Sequence, residues 1–212
     1  MLKGVSFSVI PGHAVAIKGA SGAGKSTLLH LLGGLEGPDD GQITLGKLDL
    51  HSASANHLSA FRNKHIGFIF QFHHLLPDLT AAENVAMPLI IARTRRDKAM
   101  AYAVRALDSV GLGNRIDHPI GQLSGGEQQR VAVCRALIAQ PSVVLADEPT
   151  GNLDESFVQD IGKTLVSYAR SRRAIVIVAT HNDDLAHLCD QIFVLNDGKV
   201  APAIESLKLA PG

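Results

Sequence analysis

Apolar positions along the chain follow two rhythms. Short unbroken apolar runs stand at residues 13–18 (HAVAIK), 66–70 (IGFIF), 142–146 (SVVLA) and 174–179 (AIVIVA). Runs that short and without alternation predict strands buried on both faces, and hence a parallel sheet covered by helices. Between them a period of 3.6 predicts helices over 27–34, 54–64, 97–110, 122–140 and 155–172, with another opening at Thr80 or Ala81 and running to 92. Residues 2–10 (LKGVSFSVI) alternate instead, which predicts a half-exposed strand. Pro11 and Gly12 then turn the chain into the first buried strand. After a turn cluster at 37–41, two small strands are expected at 42–45 and 47–50 around Gly46. Segments 191–195 and 199–201 close the sheet around Asn196, Asp197 and Gly198. The block 79–121 holds no strand pattern and predicts a separate helical lobe. The fold class is α/β, with no internal repeat or low-complexity tract.

Composition narrows the field mainly by exclusion. Twenty Lys and Arg balance twenty Asp and Glu, so no basic excess argues for nucleic acid as a partner. The first residues lack the layout of a secretory signal, which predicts a cytosolic chain, and no apolar run approaches a bilayer span. Cys134 and Cys189 have no metal-ligand spacing and read as reduced packing residues. The neighbours His73 and His74, placed in a strand, would point to opposite faces, and read as surface or groove lining.

Chemistry enters after the first buried strand. Residues 19–27 (GASGAGKST) fit G-x-x-x-x-G-K-[ST]. A loop of Gly19, Ala20, Ser21, Gly22, Ala23 and Gly24 running into Lys25, Ser26 and Thr27 can fold its backbone N–H groups around a polyphosphate. Lys25 would reach the β- and γ-phosphates, Ser26 would hold Mg²⁺, and the following helix points its positive end at the ligand. A dinucleotide fingerprint fails because Thr27 stands where its last glycine belongs. The strand at 142–146 runs into Asp147 and Glu148, at the sheet edge where ligands of such folds bind. Asp147 would complete the metal shell and Glu148 would orient and deprotonate an attacking water. In residues 123–129 (LSGGEQQ), Ser124 and Glu127 form a capping box at a helix start. Gly125 and Gly126 in its first turn cost about 1 kcal/mol each relative to Ala. In return they leave bare N–H groups that suit a terminal phosphate.

GASGAGKST, Gln71, LSGGEQQ, LADEP and His181 occur in the order found in ATP-binding-cassette ATPases, and the chain resembles that family along nearly its whole length. The resemblance implies a P-loop NTPase with a RecA-like parallel core, an antiparallel β subdomain and an inserted helical subdomain. The core would take about residues 1–75 and 137–205, the helical subdomain about 76–136. It implies ATP and Mg²⁺ as cofactors, and two copies packed head to tail with each ATP between one copy's P-loop and the other's LSGGEQQ. Ser124 and Gly126 would then meet the γ-phosphate in trans, and His181 would sense it. Gln71 would join the metal to the helical lobe, and Asn152, Leu153 and Asp154 would signal across the dimer. Residues 30–41, 67–89 and 147–154 further resemble the ATP-binding subunits of lipoprotein-releasing systems. That implies permease partners, the cytoplasmic face of the bacterial inner membrane, and no direct contact with cargo. Cassettes of macrolide-type efflux and cell-division complexes are the alternatives. Cassettes acting on nucleic acid carry insertions for which the stretch from Gln71 to Leu123 has no room. A cassette that only switches without turnover fits poorly with Glu148 and His181 both present. The resemblance also implies a groove around residues 71–87 for a permease helix, with Leu75 and Val85 in its lining. Finally, it implies an aromatic adenine platform on an earlier strand. No Tyr, Trp or Phe precedes Phe7, which reads as core, so the native chain is expected to begin upstream.

Overall fold

The computed structural model describes residues 2–46, 48–50, 52–151 and 155–203. Among the described residues, six strands form one sheet in the order β4-β5-β6-β1-β7-β8. β1 (Ala14–Lys18) lies inside it, parallel to β6 (Ile175–Ala179) on one side and β7 (Gln191–Asn196) on the other. β5 (Val143–Asp147) pairs in parallel with β6 and with β4 (Ile66–Ile69), and β8 (Lys199–Pro202) closes the edge antiparallel to β7. β2 (Thr44–Leu45) and β3 (Leu48–Asp49) form a separate antiparallel pair. These are the mixed α/β core and small antiparallel unit that the residue pattern and the family resemblance call for.

The buried strands are apolar because helices cover both faces. α1 (Lys25–Leu32) brings Leu28 and Leu29 onto the face that carries Ile17, Leu145 and Ile177. α6 (Glu155–Arg172) lays Val158, Ile161, Leu165 and Ala169 against Val144, Val176 and Val178 on the other. Strand side chains alternate between the two faces, so an uninterrupted apolar run serves both layers. α2 (Ala55–His65) is capped by Ser54, whose hydroxyl accepts from His57 N–H, and α7 (Asp183–Leu188) follows β6. A further apolar cluster joins α3 (Ala81–Ile91), α4 (Arg96–Ser109) and α5 (Gly125–Leu137). Ala82 and Val85 of α3 meet Ala99, Ala103 and Leu107 of α4, and Val131 of α5, all fully buried.

Residues 2–10 correct the expectation of a strand. Their burial alternates as the sequence predicts, with Phe7 half-buried 5.4 Å from the Phe193 ring, yet no strand ladder forms. Alternation sets which side chains turn inward, whereas a strand also needs a neighbour to receive its backbone groups. Lys3 N–H donates to Gly198 O, and no paired neighbour continues from there among the described residues. The helix expected over 122–140 also starts later. Residues Ile120–Gln122 make a 3₁₀ turn, and Ser124 caps the helix proper.

One close approach fixes the distance between sheet and helix. A methyl group added at Gly67 in β4 would stand 2.3 Å from the Ala136 carbonyl oxygen of α5. Gly67→Ala should therefore destabilise the fold by about 1–3 kcal/mol through overpacking, visible as a thermal midpoint lowered by several degrees. A midpoint unchanged within error would mean that β4 and α5 are not so tightly joined.

Candidate functional site

Because the strands run parallel, the ends of β1, β4, β5 and β6 reach the same edge of the sheet, and the loops that leave them meet there. A cleft of about 520 Å³ opens at that edge. It is lined by the loop from Gly19 to Thr27 (Ala23 excepted) together with Gln71, Asp147, Glu148 and His181.

The loop depends on glycine at two points. Gly24 caps α1 at φ 103°, a left-handed conformation that other residues enter only with strain. At Gly19 a Cβ would stand 2.6 Å from the Leu195 carbonyl oxygen. No side chain caps α1, so its first N–H groups remain available to an anion, with the helix dipole behind them. Lys25, 8% exposed, turns its ammonium back into the loop and donates to Gly19 O at 2.8 Å and Ala20 O at 3.2 Å.

The second wall comes from β5 and β6. Asp147 is the last residue of β5 and Glu148 follows at φ 43°. That left-handed backbone in a non-glycine residue stores strain of about 1–3 kcal/mol, and such strain persists only where the surroundings enforce it. Here Glu148 N–H donates to Ala179 O at 2.8 Å, and Gly151 N–H donates to Glu148 O at 3.0 Å. The Glu148 side chain is gripped as well. His181 N–H donates to Oε2 at 3.3 Å and His181 Nδ1 lies 2.9 Å from Oε1. Oε1 is also 3.7 Å from the Lys25 ammonium. A carboxylate, an imidazole and a nearly buried ammonium thus converge at the mouth of a phosphate-shaped loop.

Ser26 and Asp147 line the same cleft and offer a hydroxyl and a carboxylate oxygen. Among the described residues no group of three or more His, Cys, Asp or Glu could hold a metal unaided. Mg²⁺ needs only one or two protein oxygens when substrate phosphates and water complete its octahedron, so this donor set fits it.

Ser124, Gly125, Gly126 and Glu127 stand outside the cleft, at the start of α5. Their capping box is formed: Glu127 N–H donates to Ser124 Oγ at 3.3 Å, and Ser124 N–H donates to Glu127 Oε2 at 2.8 Å. Ser124 Oγ accepts here and keeps its own O–H as a donor for use elsewhere. The Ser124 N–H, followed by the Arg115 guanidinium 3.0 Å from Oε1, holds the Glu127 carboxyl down at about 2. Ala23 is turned inward against the core around Leu28 and Leu29 rather than into the cleft. Asn152, Leu153 and Asp154 lie outside the described residues.

Two expectations change around residues 71–87. His73 and His74 lie in a turn rather than a strand, with φ of 58° and 47°. Val85 is fully buried in the cluster under α3 and lines no open groove, while Leu75 is half-buried at the edge of that cluster. The exposed apolar residues there are Phe72 and Leu76. Helical periodicity places Val85 on a buried face, and the lobe's own core claims that face. The two cysteines behave as packing residues, since burial pushes both thiols up to about 12.

Some contacts that shape the site could not be read from the sequence, even where the residue lies in a motif already singled out, as Gln129 does at the end of LSGGEQQ. Gln129, 2% exposed, donates from Nε2 to Pro149 O at 2.6 Å and ties α5 to the segment after Glu148. Asn84, fully buried, accepts from Leu76 N–H and donates to the carbonyls of Leu76, Leu79 and Thr80.

Residues 2–151 match the sequence model of the family described as ABC transporter. The lipoprotein-releasing system ATP-binding protein LolD of Geobacter metallireducens is 48% identical over 200 residues, 94% of this chain and 89% of that protein. LolD of Legionella pneumophila is 46% identical over 200 residues, 94% of this chain and 88% of its own. An ATP-binding cassette solved as a dimer in a post-hydrolysis state with ADP and Pi aligns with TM-score 0.87 and 34% identity, over 95% of this chain and 89% of that one. A dimeric bacterial ABC transporter cassette aligns with TM-score 0.84 and 36% identity, over 94% and 88%.

The depressed Glu127 carboxyl makes the capping box sensitive to acid. Its contribution to stability is complete above the usual 4.5 and is lost as pH falls from there toward about 2. Glu127→Gln should therefore be less stable than the parent at pH 6, and the difference should shrink steadily below pH about 4.5. Denaturant unfolding of both proteins between pH 3 and 6 measures it. A difference that stays constant over that range would contradict the capping box.

Proposed function

As this chain belongs to the ABC transporter family and is an ATPase of it, we propose that it is the ATP-hydrolysing subunit of a complex that releases lipoproteins from the bacterial inner membrane. The observation that carries the catalytic half of this reading is the convergence of Lys25, Glu148 and His181 at the mouth of the glycine loop. The relatives named for lipoprotein release support the biological half, at 46–48% identity over nearly the full length.

In this reading the loop from Gly19 to Thr27 binds the triphosphate through backbone N–H groups and the start of α1. Lys25 exchanges its bonds to Gly19 O and Ala20 O for phosphate oxygens. Glu148 takes a proton from the attacking water, oriented by His181, whose Nδ1–H donates to the carboxylate. Ser26 and Asp147 hold Mg²⁺, with the Gln71 amide close by. Bound there, the metal neutralises charge on the β- and γ-phosphates. Two copies pack head to tail, and the Ser124 hydroxyl with the Gly125 and Gly126 N–H groups covers the partner's γ-phosphate. This arrangement accounts for a formed, outward-facing helix start that lies outside the phosphate cleft of its own chain.

Among the described residues no helix is long and apolar enough to cross a membrane. In this reading, by its likeness to the lipoprotein-releasing subunits, the subunit reaches the inner membrane through permease partners, peripherally and on the cytoplasmic face. Phe72 and Leu76, exposed beside Gln71, form the surface where a partner helix would bear on the nucleotide site.

Glu148→Gln should bind ATP normally, hydrolyse it at least ~100-fold more slowly, and accumulate as an ATP-held dimer. Turnover assays with size-exclusion chromatography in ATP measure both. Near-normal turnover would remove Glu148 from the role of base.

A further inference from the structure

The turn that follows Gln71 leaves the phosphate cleft and reaches the surface, where Phe72 is 76% and Leu76 46% exposed. Its backbone is unusual for its residues. His73 and His74 in succession occupy the left-handed region, uncommon for any non-glycine residue even though histidine enters it more readily than most. Each such residue costs backbone energy, so the conformation persists only if something outside the turn holds it. Bonds within the turn, from His73 N–H to Phe70 O at 3.1 Å and from His74 N–H to Phe72 O at 2.6 Å, follow from its shape rather than impose it.

The outside hold comes from α5. Arg135 donates from Nη1 to His74 O and from Nη2 to His73 O, both at 2.6 Å. The guanidinium is planar and presents its donors as a fork, which lets it span two successive carbonyls as a compact ammonium cannot. Both bonds go to backbone atoms, so they select the turn's shape whatever its side chains. Arg135 takes part in none of the ion pairs among the described residues. Burial pulls its pKa below the ordinary arginine value, yet it remains a cation with these carbonyls as its partners. Six residues earlier on the same helix, Gln129 holds Pro149 O. One helix therefore grips the chain just beyond Gln71 and just beyond Glu148.

We propose that Arg135 is a positioning residue for Gln71. By gripping the carbonyls of His73 and His74 it holds the left-handed turn, and so fixes where the Gln71 amide stands at the phosphate cleft. This rests on the reading of Gln71 as part of the hydrolytic site. Arg135 touches no substrate and acts through the turn alone. Loss of its grip relaxes both histidines toward ordinary φ and swings Gln71 out of register.

The test measures ATP hydrolysis and thermal unfolding of the full chain for Gln71→Ala, Arg135→Ala, Arg135→Lys and the triple variant Arg135→Ala/His73→Gly/His74→Gly. Arg135→Ala should lower kcat about tenfold to a hundredfold, as a displaced site group does, with KM for ATP within about twofold. Arg135→Lys should recover little of this. The triple variant should recover most of it, because glycine enters the left-handed region without strain. An unchanged kcat in folded Arg135→Ala overturns the proposal. A loss that merely tracks the thermal midpoint, and that the glycines leave unrepaired, overturns it too by making Arg135 a structural residue only. Gln71→Ala separates the two readings. If it leaves kcat unchanged, the role of Gln71 fails first and that of Arg135 falls with it. If it lowers kcat while Arg135→Ala does not, only the positioning role fails.

Discussion

The Lys25 ammonium is almost out of contact with water and lies 3.7 Å from the Glu148 carboxylate, itself only 11% exposed. Desolvating two such ions costs several kcal/mol each, while their attraction at this distance returns about 4 kcal/mol in a medium of effective dielectric 20. The pair cannot stand on that attraction alone. It needs the carbonyls of Gly19 and Ala20 for the ammonium, and His181 for the carboxylate. Those partners come from the ends of β1 and β6, so the pair exists only if these strands lie side by side with their ends level. The register of β1 on β6, with Ile17 opposite Ala179, supplies that condition. The sheet is in this sense a device for bringing partners to one buried charge pair.

α5 is the second organising element, and it acts through backbone atoms of other segments. Gln129 holds the carbonyl of Pro149, and Arg135 holds those of His73 and His74. At its start the same helix carries the Ser124–Glu127 box. The segments that carry Glu148 and Gln71, and the start of α5, are thus fixed against one rigid rod.

The two kinds of feature differed in how far the chain order alone disclosed them. The phosphate loop, the strand running into Asp147 and Glu148, and the Ser124–Glu127 capping box were legible because their chemistry is local. Spacing of a few residues dictates a cradle, a strand end or a reciprocal cap. Residues 2–10 misled for the opposite reason. Their pattern reports which side is buried, whereas the tertiary neighbour decides whether a paired strand forms. Glu148 in a left-handed conformation and Arg135 on two carbonyls were invisible, since a single Glu after a strand and a single Arg on a helix carry no local mark. Only the approach of distant segments gives them a role.

In the proposed dimer each ATP is shared by the P-loop of one copy and the Ser124 region of its partner. The most direct measurement mixes two chains that are inactive alone, Lys25→Ala and Ser124→Arg, and follows ATP hydrolysis as their ratio is varied. In a two-fold symmetric dimer with random pairing, half the dimers are mixed and each holds one intact composite site, so an equal mixture should approach about a quarter of the parent activity. Activity that never exceeds that of the separate variants at any ratio would contradict the shared site.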